Sequence, residues 1–342
     1  MAPPFDDGLL DDEAALARVD ADLRRIAEAG ARVRLESVTA AEPLAAAVLR
    51  LAESRPRAVV AAGPDSRLLR AVLEPTCPVP FVAWPGPGLP GWAGALDLVV
   101  VLAPDGTDVG TAAGVAEAVR RGCQLVVGTP EDSLVGRHVP GRYSTLLPTV
   151  TGDQLATAVV MLDLLDRLDL GPAADAEVVA SALDDVAISC SPYRDLAVNP
   201  AKILASGIAD TSPLVWGGTV LAARAARRIA ESLRRASGRA ALAADAEHLL
   251  PVLAAAPITD VFADPFADEV GDLRPSLVVL DDGSPDPVVV ETRERLVRQA
   301  DERGVRVETV TTEAAGDVAR YAALLATGTF AAHYLRVGLH DH

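Results

Sequence analysis

Apolar residues recur at helical spacing over residues 11–29, at Leu16, Val19, Leu23 and Ile26, which predicts a helix ended by Gly30 as its C-cap. A second helix is expected over 41–54. Short β-branched runs follow at 58–62, 79–83, 98–102 and 125–128, with helical stretches at 67–73 and 111–121 between some of them. That alternation predicts a parallel sheet with crossover helices. The runs Leu98-Val-Val-Val-Leu102 and Leu125-Val-Val-Gly128 are apolar throughout, as strands covered on both faces are.

Helices are expected at 153–168 and 176–189, interrupted by Gly171-Pro172, and form the connection between two halves. Beyond Pro200 the same pattern returns. A strand at 213–217, a long amphipathic helix at 219–236 and a short strand at 258–263 are followed by strand 276–281, helix 288–303, strand 305–310 and helix 314–335. The chain therefore reads as two doubly wound α/β domains, 1–152 and 197–342, joined by a helical connection at 153–196. No residue-level repeat links the halves, so any duplication is one of fold.

Composition agrees with two cores. The 342 residues exceed the length over which one core keeps growing. Half are hydrophobic but only 4% are aromatic, so the apolar mass is Ala, Val and Leu. Lys202 is the only lysine among 31 basic residues. Against these stand 48 acidic residues, and the net charge of −17 argues against nucleic acid and anionic membrane surfaces as partners. A small phosphorylated ligand stays compatible, since backbone N–H groups and a local arginine can hold it. Cys77, Cys123 and Cys190 show no Cys-x-x-Cys spacing and read as reduced, buried small hydrophobes rather than a disulfide framework or a zinc site. The acidic first twelve residues do not make a signal peptide and no apolar run reaches membrane-spanning length, so a cytoplasmic location is expected.

Ligands of such folds bind where parallel strands end and loops begin. At those junctions stand Gly63-Pro-Asp-Ser66, then Pro85-Gly-Pro-Gly-Leu89-Pro-Gly-Trp92, then Leu102-Ala-Pro-Asp105-Gly-Thr107. Further on come Pro140-Gly-Arg142-Tyr-Ser-Thr, Asn199-Pro-Ala-Lys202, Ser212-Pro-Leu-Val-Trp-Gly217 and a closing helix through Gly328, Phe330, His333 and Tyr334. In order and spacing these segments resemble the bifunctional phosphoglucose/phosphomannose isomerase family, in a divergent form whose Ala- and Arg-rich composition is of actinobacterial type. The resemblance implies two tandem SIS-type, flavodoxin-like domains. It also implies aldose–ketose isomerisation of glucose 6-phosphate or mannose 6-phosphate, no metal or organic cofactor, and a homodimer.

On that resemblance the candidate substrate-binding residues are Gly63, Ser66, Gly106, Thr107, Thr111 and Arg142. The family's phosphate loop is rich in hydroxyls, whereas Leu102 and Pro104 stand here where hydroxyls are expected, and Asp65, Asp105 and Asp108 add negative charge. Ser66 can equally be the N-cap of a helix starting at Arg67, Thr107 a cap or turn residue, and Arg142 a surface partner of acidic side chains. Isomerisation needs a carboxylate base near the sugar carbons. The family's glutamate aligns with Arg234, which leaves Glu231 as the nearest carboxylate, and the family's histidine aligns with Leu250, two residues beyond His248. Glu231 and His248 are thus the candidate catalytic residues, and their plain alternatives are a solvated helix surface and a packed or exposed histidine. The family's chain also continues past this terminus into a segment that contributes a lysine to its site. His340 and His342 lack further ligands, so no metal is expected. Together these departures predict a phosphosugar-binding protein of this fold with weak or absent isomerase activity; the alternative is an active isomerase with relocated groups.

Overall fold

The computed structural model describes residues 5–53, 55–257 and 273–339. In chain order its elements begin with α1 (Glu13–Ala17), α2 (Asp20–Ala27), α3 (Ala29–Leu51), β1 (Val59–Ala62), α4 (Ser66–Leu73), β2 (Phe81–Trp84), β3 (Leu98–Leu102) and α5 (Val109–Arg120). Then come β4 (Gln124–Thr129), β5 (Ser144–Pro148), α6 (Gln154–Arg167), α7 (Ala176–Ser189), α8 (Pro200–Ile208), β6 (Thr211–Gly217) and α9 (Val220–Ser237). The remainder is β7 (Leu242–Ala243), α10 (Ala246–Ala254), β8 (Arg274–Asp281), α11 (Pro287–Glu302), β9 (Val307–Thr311) and α12 (Asp317–Gly338). Contacts divide the chain into two compact units, Ala29–Ser181 and, together, Met1–Glu28 with Ala182–His342.

In the unit Ala29–Ser181 the strands form one parallel sheet in the order β2-β1-β3-β4-β5. Side chains alternate between its faces as a pleated strand requires. Val60, Ala62, Val99, Val101, Leu125 and Val127 pack with Ala112, Val115 and Ala118 of α5. Their neighbours Val59, Ala61, Leu98, Val100 and Val126 are equally buried, and α6 packs on β3 and α3 on β5. Covering both faces explains why the strand runs are apolar throughout. The strand order reverses direction between β1 and β3, which opens a crevice at the carboxyl ends of these two strands.

In the second unit the parallel order is β7-β6-β8-β9. Leu214, Trp216, Leu277 and Val279 meet Leu249 and Leu253 of α10 and Leu296 and Ala300 of α11, while α8 and α9 pack against β6 and α12 against both helices. The two sheets share one winding, with the reversal after the first strand of each, as a duplication of fold without sequence repeat would give.

Two readings of the sequence change. Gly30 does not end a helix: it is the second residue of α3, which runs unbroken to Leu51. A glycine in a first turn forfeits no intrahelical bond from its own N–H, so its cost is small there. The buried positions Gly30, Val33, Glu36, Ala40, Leu44, Ala47 and Leu51 form one helical stripe, which Arg32, Arg34 and Glu36 disguise in the sequence. Those charges are answered by Asp153, by Glu177 and by the backbone N–H groups of Val150 and Thr151. The second change is β5, which the sequence reading leaves without a strand. It lies at the sheet edge and ends in Pro148, where a missing N–H is harmless. The expected strand at 258–263 and the His340/His342 pair lie outside the described residues, as does Ser54 at the end of the helix expected over 41–54.

Lys202 is fully buried in α8, and its ammonium donates to Asp11 Oδ1 (2.7 Å), Pro192 O (2.9 Å) and Arg194 O (2.8 Å). Three acceptors match the three donors of an ammonium and not the planar fork of a guanidinium, which accounts for one lysine surviving in an arginine-rich chain. Burial alone would raise the Asp11 carboxyl, but the Lys202 hydrogen bond, the Leu196 N–H and the Lys202 charge outweigh it and hold the group below its ordinary value. The Arg336 hydrogen bond does the same for Asp22. Both groups bind protons less readily folded than unfolded, so their stabilisation is complete above the ordinary carboxylate range and is lost as pH falls through the lowered values. Circular dichroism melts should therefore show Asp11→Asn and Asp22→Asn variants losing less stability between pH 5 and pH 3 than the parent chain; equal losses would contradict the assignment.

No described helix is long and apolar enough to cross a membrane. Cys123 and Cys190 are buried and Cys77 is half-buried, and all three are free thiols. Burial pushes the Cys190 thiol up to about 11.

Candidate functional site

The crevice at the reversal point of the first unit has a volume of ≈ 240 Å³. Its floor is Ala62 and Val101, one wall is Gly63 and Pro64, another is Pro85 to Gly88, and α5 supplies Gly110, Thr111 and Gly114. Gly63 adopts φ +93°, a conformation open to glycine at little cost, and its N–H donates to Trp84 O at 3.0 Å. A Cβ on Gly114 would sit 3.4 Å from Gly88 O, so the small residue lets α5 approach the Pro85–Gly88 turn.

The electrostatics centre on Asp108. It is the N-cap of α5, and its Oδ1 accepts from both the amide and the hydroxyl of Thr111, each at 2.6 Å. Those two bonds, aided by the Gly110 N–H, hold the Asp108 carboxyl below its ordinary value, and the positive end of α5 acts in the same direction. Asp108 lines the crevice, so an ionised carboxylate of the chain sits at the helix N-terminus.

Of the sequence-predicted binding residues, Gly63 and Thr111 meet in this crevice: a Cβ on Gly63 would lie 3.3 Å from Thr111 Oγ1. Ser66 is not a cap. It is the first residue of α4, after Asp65, and its hydroxyl is buried with no hydrogen-bond partner among the described residues. Asp65 accepts from Gln154 Nε2 at 2.5 Å. Gly106 takes φ +63° and leaves room for Ser133, with which any Cβ there would collide. Ser133 in turn bonds Thr129 Oγ1 and the Gly136 N–H, which makes Gly106 a packing residue between two loops. Thr107 is exposed beside it. Arg142 stands apart from all of these, since it precedes β5 and so lies at the amino-terminal edge of the sheet, exposed, its guanidinium 5.3 Å from the Tyr143 ring centroid.

In the second unit the corresponding junction follows β6. Thr219 caps α9 by accepting from Ala222 N at 3.1 Å, and its hydroxyl donates to Asp282 beyond β8. Here too a carboxylate stands at the carboxyl ends of the two strands that flank the reversal. Glu231 lies in the middle of α9, half-buried, paired with Arg228 (2.8 Å) and Arg235 (2.6 Å). Arg234 donates to Ala241 O at 2.6 Å. His248 is exposed in the first turn of α10.

Comparison with solved structures assigns the fold. The chain superposes on the C-terminal domain of glucosamine-fructose-6-phosphate aminotransferase from Francisella tularensis with a TM-score of 0.64 at 12% identity, covering 93% of this chain and 95% of that one. It matches tagatose-6-phosphate ketose/aldose isomerase from Escherichia coli with a TM-score of 0.61 at 14% identity, covering 96% and 89%. The architecture is a flavodoxin-like, SIS-type α/β fold. More particularly, residues 197–339 match the family described as the bacterial phospho-glucose isomerase C-terminal SIS domain. A search of curated proteins returns no match.

Proposed function

We propose that this chain is a phosphosugar-binding protein of SIS type whose isomerase chemistry is weak or absent. The observation that carries the weakened activity is the pairing of the Thr111 amide and hydroxyl with Asp108 Oδ1: donors suited to a phosphate are spent on the chain's own carboxylate, which loosens the grip on the phosphate that isomerisation needs. Binding is supported by the crevice itself, by the buried, unpartnered hydroxyl of Ser66 at the adjacent turn, and by the likeness of residues 197–339 to a phospho-glucose isomerase domain. Weak chemistry is supported by Glu231, whose two carboxylate oxygens are each engaged by an arginine, Arg228 and Arg235, on the surface of α9. A homodimer and a cytoplasmic location belong to the same proposal.

Thermal-shift titration tests it. A ligand selective for the folded state raises the melting temperature, so glucose 6-phosphate, fructose 6-phosphate or mannose 6-phosphate should each be tried to saturation. A shift with at least one supports the reading, and none with any overturns it. A second reading, an uncharged sugar, is favoured by the Asp108 carboxylate at the crevice; glucose shifting the melt more than its 6-phosphate would select it. Glu231→Gln should change unfolding free energy by less than about 1 kcal/mol, the range of exposed ion pairs, and leave phosphosugar binding unchanged. Turnover in the parent chain that disappears in this variant would make Glu231 a base.

A further inference from the structure

A second cavity of ≈ 300 Å³ opens at the opposite edge of the same sheet. Its lining includes Leu98 and Gln124, the first residues of β3 and β4, whereas the crevice lies where β1 and β3 end. The two sites are therefore separated by the length of the strands. Leu96, Leu168 and Leu170 supply apolar wall, and Leu96 keeps 69% of its surface exposed, an apolar group left in water beside a hollow. Within this wall the Gln124 Oε1 is buried and accepts no hydrogen bond from any described residue. A buried acceptor left unmade costs free energy that a ligand donor can recover. Arg55, exposed, and Arg167, which pairs with Asp163, join the lining against a single carboxylate, Asp169, so the wall carries net positive charge in a chain that is otherwise strongly acidic.

We propose that this cavity is a small-molecule site distinct from the crevice, taking an organic anion with an apolar body and one N–H or O–H donor. The leucines cover the body, Gln124 Oε1 receives the donor, and Arg55 meets the anionic group. Mostly apolar walls with a few convergent polar groups are the common make-up of such sites, and the buried amide oxygen sets the orientation.

The probe is 8-anilinonaphthalene-1-sulfonate, which carries an aromatic body, one anilino N–H and one sulfonate. Fluorescence titration of the full chain should give saturable binding of one probe per chain, unaffected by glucose 6-phosphate. Gln124→Leu, which keeps the side-chain size and removes the acceptor, should weaken binding at least fivefold. Arg55→Glu should weaken it by a similar factor, and because Arg55 is exposed this variant keeps the test decisive even where Gln124→Leu fails to fold. Non-saturable binding, or parental affinity in either variant with an unchanged melting temperature, overturns the proposal. Because the sites are separate, neither result bears on phosphosugar binding at the crevice.

Discussion

Lys202→Met should lower the unfolding free energy by about 3 kcal/mol, the scale on which removing a buried charge from its hydrogen-bonded partners acts. The side chain is fully buried, and its loss leaves the Pro192 and Arg194 carbonyl oxygens without their donor and the Asp11 carboxylate without its cation. Methionine fills the aliphatic volume but donates nothing. Asp11 is 44% exposed as a side chain, so water relieves part of its loss, and this keeps the figure at the lower end for broken buried pairs. Lys202→Arg is no rescue, because a planar fork cannot address three acceptors around one nitrogen. Urea denaturation followed by circular dichroism checks the result, and a midpoint unchanged in Lys202→Met would contradict the structural role.

Asp108→Ser should tighten glucose 6-phosphate binding about tenfold. At an effective dielectric near 20 two unit charges ~4 Å apart interact by about 4 kcal/mol, and exposure to water and salt reduces that to roughly 1–2 kcal/mol. Serine remains a preferred N-cap, so α5 keeps its start, while the Thr111 amide and hydroxyl face one neutral oxygen in place of an ionised one. The charged residue, not the loop's shape, is then the barrier. Isothermal titration at fixed ionic strength measures the change. Equal affinity in the two proteins would mean that the phosphate sits elsewhere.

The elements most legible in the sequence are those whose physics is local. The runs 98–102 and 125–128 within β3 and β4 are apolar because both faces are covered, and with the helical stretches between strands they give a parallel sheet. The start of α3 was hidden because its first turns carry Arg32, Arg34 and Glu36, charges whose partners lie more than a hundred residues away in sequence. A periodicity argument cannot anticipate such partners. The edge strand β5 was hidden for a related reason: it is short, only partly buried and proline-terminated.

The site divides in the same way. Gly63 and Thr111, candidates drawn from the resemblance, line one crevice where strands end and a helix begins. Arg142 shows the limit of a motif, since a segment in the right order along the chain can stand at the wrong edge of the sheet. The burial of Ser66, the packing role of Gly106 and the double bond from Thr111 to Asp108 all depend on how loops meet. Asp108 itself was visible as a charge that would repel phosphate. Its role as the cap that uses up the loop's donors emerges only from the geometry.

The proposed function has the crevice receive a phosphosugar without isomerising it. A coupled assay of the parent chain with glucose 6-phosphate, fructose 6-phosphate and mannose 6-phosphate tests this most directly. The account predicts interconversion indistinguishable from the reaction without protein. Turnover on the order of 1 per second or faster, as ordinary enzymes achieve, would contradict it.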